Sequence, residues 1–358
     1  MQMDRKVAFW VAALLAFLVL LFIFSSILLP FVVGAAIAYL LDPLAHWFER
    51  QGFSRLAATM TILVLFIVVL VALMLLVLPI VVNQLILLAE NFPSYIERLD
   101  LLINSILQSS WAESLGVDSD AVRSSLTGFL SEGATWLATV VTGLWSGGLA
   151  LINILALLVV TPVVAFYLLY DWDRMIALID SWIPRDSVDE VRMIAREVDR
   201  VLAGFVRGQA LVSLTLGSFY AAGLVLLGIN FGFLIGLVAG IVSFIPYLGS
   251  TLGFVVSVGV ALLQFWPDWV MPFATAALFI AGQLIEGYVL QPYMIGTNVG
   301  LHPVWLMFAL FAFGLLFGFV GLLVAIPIAA AIGVLVRYAL ARYLASPLYR
   351  GSGGTPTP

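Results

Sequence analysis

Apolar and polar residues fall in long alternating blocks along this chain. Apolar runs cover 7–25, 27–41, 57–80, 134–170, 201–229, 231–266, 270–290 and 303–344. A helix needs about 20 apolar residues to cross the hydrocarbon core of a bilayer, and most of the runs approach or exceed that length. Two polar islands interrupt them, 83–132 and 171–207. The pattern predicts an all-α polytopic membrane protein with about eight membrane-embedded helical units, two of them broken or re-entrant hairpins. It divides the chain into N-terminal membrane helices (1–82), an amphipathic extracytoplasmic segment (83–132) and a membrane helix (133–170). A cytoplasmic amphipathic segment (171–207), a C-terminal membrane core with Gly/Pro-broken helices (208–345) and a flexible tail (346–358) follow. The first run follows Arg5-Lys6 as a signal peptide would, but no small-residue cleavage site comes after it, so a retained helix is expected.

The islands carry helical patterns of their own. Leu85, Leu88, Phe92, Tyr95, Ile96, Leu99, Leu102, Ile103 and Ile106 recur at helical spacing. This predicts an amphipathic helix lying on the membrane or on a neighbouring subunit. In the second island, Ser187-Val188-Asp189-Glu190 reads as a capping box. Val188, Val191, Ile194, Val198, Val201, Leu202 and Phe205 then share one face. On the other face Asp189 and Arg192, and Arg196 and Asp199, are spaced to pair. Helix packing accounts for both islands; a regulatory or partner-binding role is the alternative.

From Gly208 to Val336 only Asp268 and Glu286 are charged. Gly240-Ile241-Val242-Ser243-Phe244-Ile245-Pro246 and Gly321-Leu322-Leu323-Val324-Ala325-Ile326-Pro327 share a pattern. Paired Gly/Pro-interrupted apolar segments point to the repeated core of a transporter. Pro246-Tyr247-Leu248-Gly249-Ser250 divides 231–266 into two arms. Each arm has about 15 residues and reaches roughly 23 Å, short of a crossing of about 30 Å. Pro246 removes a backbone donor and Gly249 permits a sharp turn. A hairpin entering from outside fits these arms, with a second hairpin at 303–336 entering from inside. The alternative makes each region one long span. Both readings return the chain to the same side, so charge does not separate them.

Composition and charge then set class and orientation. Charged residues make up only 10% of the chain, against about 25% in soluble domains, too few to cover a water-facing surface. Thirteen of the fifteen Lys and Arg lie at the N-terminus, at 50–55, in the second island and after Val336. Cytoplasmic loops collect such residues, which puts both termini and the second island in the cytoplasm and the acidic first island outside. The net charge of −5 and the lack of a basic stripe argue against nucleic acid. There is no Cys, and the two His, His46 and His302, are far apart, so no metal centre or cofactor is expected. No G-x-S-x-G, H-E-x-x-H or Walker sequence occurs, so neither an enzyme nor an ATP-driven pump is expected in this chain.

The sharpest candidate for chemistry is Glu286, near the end of an apolar helix, with Gln283 one turn earlier on the same face. A carboxylate at membrane depth is expensive and usually functional, and it can carry a proton or cation. An interfacial or helix-bonding Glu286 is the plainer alternative. Pro246, Tyr247, Gly249, Ser250 and Thr251 offer hydroxyls and freed backbone groups at the break; Gln291 and Asn298 follow Glu286. His302 before Pro303 fits an interfacial helix start, Asp42 and Asp171 fit caps or turns, and Trp266 and Trp269 fit interfacial anchors.

A wider likeness joins these motifs. Thr161-Pro162, Tyr170-Asp171, Phe244-Ile245-Pro246-Tyr247-Leu248-Gly249, Glu286-Gly287-Tyr288-Val289-Leu290-Gln291-Pro292-Tyr293-Met294-Ile295-Gly296, Leu301-His302-Pro303 and Gly318-Phe319-Val320-Gly321 running to Ile326-Pro327 occur in this order. The chain, from roughly Pro30 to Pro347, resembles the autoinducer-2 exporter family of bacterial inner-membrane transporters. The resemblance implies secondary transport, an even number of membrane-embedded units, usually eight, and cytoplasmic termini. Some members are linked to export of autoinducer-2 and others to sodium–proton exchange, so the cargo is not implied. The expected reading is an exporter or ion-coupled antiporter for a small polar solute or cation (Na+ or H+), surrounded by membrane lipid and assembled as a homo-oligomer. A non-transporting scaffold assembled through the islands is the alternative, and a channel a weaker one.

Overall fold

The computed structural model describes residues 16, 19–107, 148–246, 248–295 and 302–350, with scattered positions between 124 and 142. Among these residues there are helices and no strands. The main helices are α1 (Leu29–Arg50), α2 (Arg55–Leu107), α3 (Gly148–Trp182), α4 (Val188–Leu226), α5 (Gly232–Val242), α6 (Leu248–Phe265), α7 (Val270–Ile285) and α8 (Pro303–Ala345). A π-helix, Glu286–Ile295, continues α7. Among the described residues six helical stretches are long and apolar enough to cross a membrane. The chain is an all-α, multi-span membrane protein.

Helix α2 joins a membrane run to the first polar island without a break. Its 53 residues make a rod of about 80 Å, far longer than the roughly 30 Å hydrocarbon core. The expected amphipathic face is present: Leu85, Leu88, Phe92, Tyr95, Ile96 and Leu99 are half-buried, while Leu87, Glu90, Asn91, Ser94 and Glu97 are exposed. That face is covered in part by this chain's own helix ends. Tyr95 Oη accepts from Asn230 Nδ2 at 3.0 Å, Arg98 Nη1 donates to the Leu263 carbonyl at 3.1 Å, and Gln84 Oε1 accepts from the Leu234 amide at 2.9 Å. Residues 108–123 of the island lie outside the described residues.

The chain divides into two compact units. The first comprises Met1–Phe66, Ala156–Val212 and Gly287–Pro358; the second comprises Ile67–Leu155 and Ser213–Glu286.

In the first unit, Ala38, Leu41, Ala45, Ile62 and Leu169 form one apolar cluster. Val201, Ala330 and Val334 form another, with Ile194 and Val198 against it. The apolar face expected on α4 is thus the face that meets α8. Polar ties hold the helix ends. Arg55 donates through Nε and Nη2 to the Leu169 carbonyl at 2.9 and 2.7 Å and pairs with Glu49 at 3.0 Å. Arg192 grips both oxygens of Asp180 at 2.7 Å, and these hydrogen bonds hold the Asp180 carboxyl below the usual carboxylate range. One expected pairing forms and one changes. Arg192 reaches Asp189 at 3.9 Å while its Nε and Nη2 hold Asp180. Asp199 accepts from Tyr39 Oη at 3.1 Å, and Arg196 Nε turns to the Arg192 carbonyl at 3.3 Å. Glu190 bonds Arg342 at 2.7 Å instead of reaching back into a capping box. Asp42 is neither cap nor turn residue: it sits inside α1 within 3.5 Å of Arg55 and 3.8 Å of Arg207.

Helix α8 is two arms, 303–317 and 319–345, meeting at Gly318 with φ 58° and ψ −137°. Only glycine takes that conformation without strain. The arms fold onto each other so closely that a Cβ on Gly321 would strike the Phe313 carbonyl. The second hairpin therefore turns at Gly318, while Pro327 stays within helix. The likeness between the Pro246 and Pro327 segments is one of sequence and not of turn position.

In the second unit, 231–266 is a hairpin of α5 and α6, with 11 and 18 residues. These lengths correspond to about 17 and 27 Å. Gln264 closes its base, accepting from the Asn230 amide and donating to the Gly228 carbonyl, both at 2.8 Å. The chain enters it through Gly228 at φ 69° and Phe231 at φ 60°. Three glycines one turn apart on α5, Gly232, Gly236 and Gly240, face α4. A Cβ on them would collide with Leu224, with the backbone of Ala221 and with Gly217, respectively. Small residues let membrane helices approach to backbone contact.

Two measurements check this arrangement. Asn230→Cys and Asp268→Cys are expected to react with an impermeant thiol reagent from the same face of the membrane; opposite faces would mean a single span. Gly240→Val is expected to destabilise the folded protein by about 1–3 kcal/mol, the usual cost of overpacking, in detergent melting. Gly259→Val serves as the control, because no atom lies within 4 Å of its Cβ position.

Candidate functional site

The second unit holds the sequence's sharpest candidate. Of its two charges in the long apolar stretch, Asp268 is exposed just before α7, with Oδ1 accepting from the Val270 amide at 2.9 Å. Glu286 is placed differently. It is 6% exposed, and among the described residues it is the one buried acidic or basic side chain. It stands where α7 widens into the π-helix, a form that recurs at functional positions. Gln283, exposed and one turn earlier, donates from Nε2 to Glu286 Oε2 at 3.0 Å.

Tyr220 of α4 completes this group, and sequence reading missed it. Its side chain is fully buried beside Gln283 and Glu286, with Gln283 the polar side chain nearest its hydroxyl. The ring stacks on Phe279 with centroids 4.3 Å apart and planes at 15°. Its hydroxyl end lies against Gly282, where any Cβ would collide with it. Glycine at 282 is thus what admits a phenol into the wall of α7. Phe279 in turn packs over Gly253 and edge-on to Phe254, at 6.1 Å, on α6 of the hairpin.

The hairpin tip is less open than its sequence suggests. Pro246 is half-buried in the turn, Gly249 packs directly on Ser243 and Ala239, Ser250 is buried and Thr251 is exposed. Four carbonyls around the break are already used. Ala239 accepts from the Ser243 amide at 2.8 Å, Ile241 from Phe244 at 3.2 Å, Val242 from Ile245 at 2.9 Å and Ile245 from Leu248 at 3.2 Å. Ser243, Ser257 and Thr275 each spend their hydroxyl proton on a carbonyl one turn back. Gln291 is half-buried in the π-helix, in the first unit. Tyr247 and Asn298 lie outside the described residues. His302 accepts from the Val304 amide at 3.3 Å and serves as the N-cap of α8. The structure therefore joins Glu286 and Gln283 with Tyr220.

A multi-span helical bundle with a buried carboxylate and broken helices has the build of a membrane transporter. Residues 10–341 match the AI-2E family transporter description, and the chain belongs to that family. It is similar to YrrI of Bacillus subtilis (strain 168), named as a candidate transport protein: 25% identical, covering 95% of this chain and 98% of the relative. YueF of the same organism, named likewise, is 26% identical over 92% and 93% of the two chains. PerM of Escherichia coli (strain K12), named as a candidate permease, is 28% identical over 89% of each.

The fit of Tyr220 against Gly282 can be measured. Gly282→Ala is expected to lower stability by about 1–3 kcal/mol, because the added methyl meets the phenol. In a Tyr220→Ala background most of that cost should vanish, giving a coupling well above experimental error. Additive costs would show that the two residues do not press on each other.

Proposed function

We propose that this chain is a secondary transporter, an exporter or ion-coupled antiporter, that moves a small polar solute or cation across the bacterial inner membrane. Glu286 carries the coupling proton or sodium ion. Gln283 orients the carboxylate, and Tyr220 offers a second oxygen beside it. The observation that carries this reading is the burial of Glu286 in an otherwise apolar stretch, where Gln283 donates to its carboxylate. Burial of a charge costs several kcal/mol or shifts the group to its neutral form. Both termini lie in the cytoplasm in this reading, which follows from the thirteen basic residues, and copies of the chain assemble in the membrane.

Glu286→Gln keeps volume and hydrogen bonding and removes the ionisable group. In proteoliposomes under imposed proton or sodium gradients, at matched protein levels, it is expected to abolish coupled flux while the melting temperature changes little. Gln283→Leu should weaken apparent ion or cargo affinity and leave the coupling ratio intact. Coupled flux through Glu286→Gln with the wild-type pH profile would overturn the assignment. Orientation is checked separately: Asp118→Cys should react with an impermeant reagent from outside, and reaction only from the cytoplasmic side would reverse the topology.

A further inference from the structure

The first unit contains a cavity of about 270 Å³ that the transport reading does not use. Tyr39 and Trp172 line it, with ring centroids 5.7 Å apart and planes at 70°. Asp42, Asp199 and Arg207 supply its charges, and Ala203 leaves space where a larger side chain would fill it.

We infer that this cavity is a binding site for a small organic cation, an alkylammonium group held between the Asp199 carboxylate and the Tyr39 and Trp172 rings. The charges decide the sign of the ligand. Arg207 is committed: its Nε donates to the Tyr39 carbonyl at 3.0 Å and its Nη2 lies 3.8 Å from Asp42. Asp42 is matched in turn by Arg55 at 3.5 Å, which also holds Glu49 at 3.0 Å, and the His46 imidazole approaches Asp42 at 3.3 Å. These four groups, Asp42, Glu49, Arg55 and Arg207, sum to zero. Asp199 remains, with the Tyr39 hydroxyl at 3.1 Å and no basic partner among the described residues. Its nearest basic neighbours on α4 are engaged elsewhere, Arg196 with the Arg192 carbonyl and Arg200 with Glu197. The cavity thus carries one unmatched negative charge beside two aromatic rings, and aromatic faces attract cations. The chemistry excludes the other occupants. A metal ion would want more oxygen or nitrogen ligands, and no group of three or more His, Cys, Asp or Glu that could hold one occurs among the described residues. An anion would meet the unmatched carboxylate.

Isothermal titration calorimetry on the purified full-length protein tests this, with n-butylammonium chloride as probe. Sodium butyrate and sodium chloride at equal ionic strength are the comparisons. Saturable binding is expected for butylammonium alone. Asp199→Asn should weaken it at least tenfold, and Ala203→Leu, which fills the cavity without touching a charge, should abolish it. Glu286→Gln should bind the probe as wild type does, so the outcome is independent of the coupling assignment. Absence of saturable binding to wild type, undiminished binding by Ala203→Leu, undiminished binding by folded Asp199→Asn, or equal binding of butyrate would each overturn the inference.

Discussion

In a bilayer no hydrophobic force draws one apolar helix to another, so membrane helices hold by how closely their backbones meet. In the second unit that contact is the glycine stripe of α5 against α4. Gly236 lies on the backbone of Tyr220 and Ala221, and Gly240 lies on Gly217. A helix of 11 residues cannot cross a bilayer alone; α6 and this stripe give it partners along its length. The same contact fixes the backbone from which Tyr220 projects. Phe279 and Gly282 then receive its ring from the other side. The place of the phenol beside Glu286 is therefore a consequence of packing between glycines, and no polar attraction has to be invoked for it.

Polar bookkeeping shows why the Glu286 group stands out in its unit. Non-helical backbone at membrane depth must find its bonds inside the protein, and the tip of the hairpin does so through consecutive short-range bonds from Ala239 to Leu248. The buried hydroxyls of Ser243, Ser257 and Thr275 are satisfied by carbonyls one turn back. Such local bonds consume the groups that would otherwise coordinate an ion. The Tyr220 hydroxyl is placed differently: it comes from another helix and lies beside the Gln283 and Glu286 side chains.

Much of this was legible in the sequence. Run length and charge placed the membrane helices, because burial in lipid forbids what water permits. The half-buried face of Leu85 to Leu99 and the face of Ile194, Val198 and Val201 followed from helical spacing alone. The two-armed shape of 231–266 followed from arm length and Pro246. Tertiary choices were not legible. Spacing offered Arg196 to Asp199, but a closer competitor, Tyr39, lies 160 residues away in sequence. The turn of the second hairpin fell at Gly318, because positive φ, and not a missing amide, is what that turn needs. Tyr220 was one aromatic among many in an apolar helix until the fold set it against Gly282.

The position of Glu286 at the start of a π-helix has a cause in the residues after it. Pro292 lies inside that stretch. In a regular α-helix its ring would crowd the carbonyl of Tyr288, four residues earlier, and it brings no amide to bond there. Widening the turn to five-residue spacing moves that carbonyl away from the ring, which is the local adjustment that lets a helix continue past proline in a membrane. The widening extends back to Glu286, so a proline six positions downstream helps decide how the carboxylate leaves α7. Gly287 next to it has no atom within 4 Å of its Cβ position, so the backbone here is not clamped by neighbours as it is at Gly282. The carboxylate thus stands one turn beyond Gly282, which packs on Tyr220, and at the head of the stretch whose wider spacing accommodates Pro292.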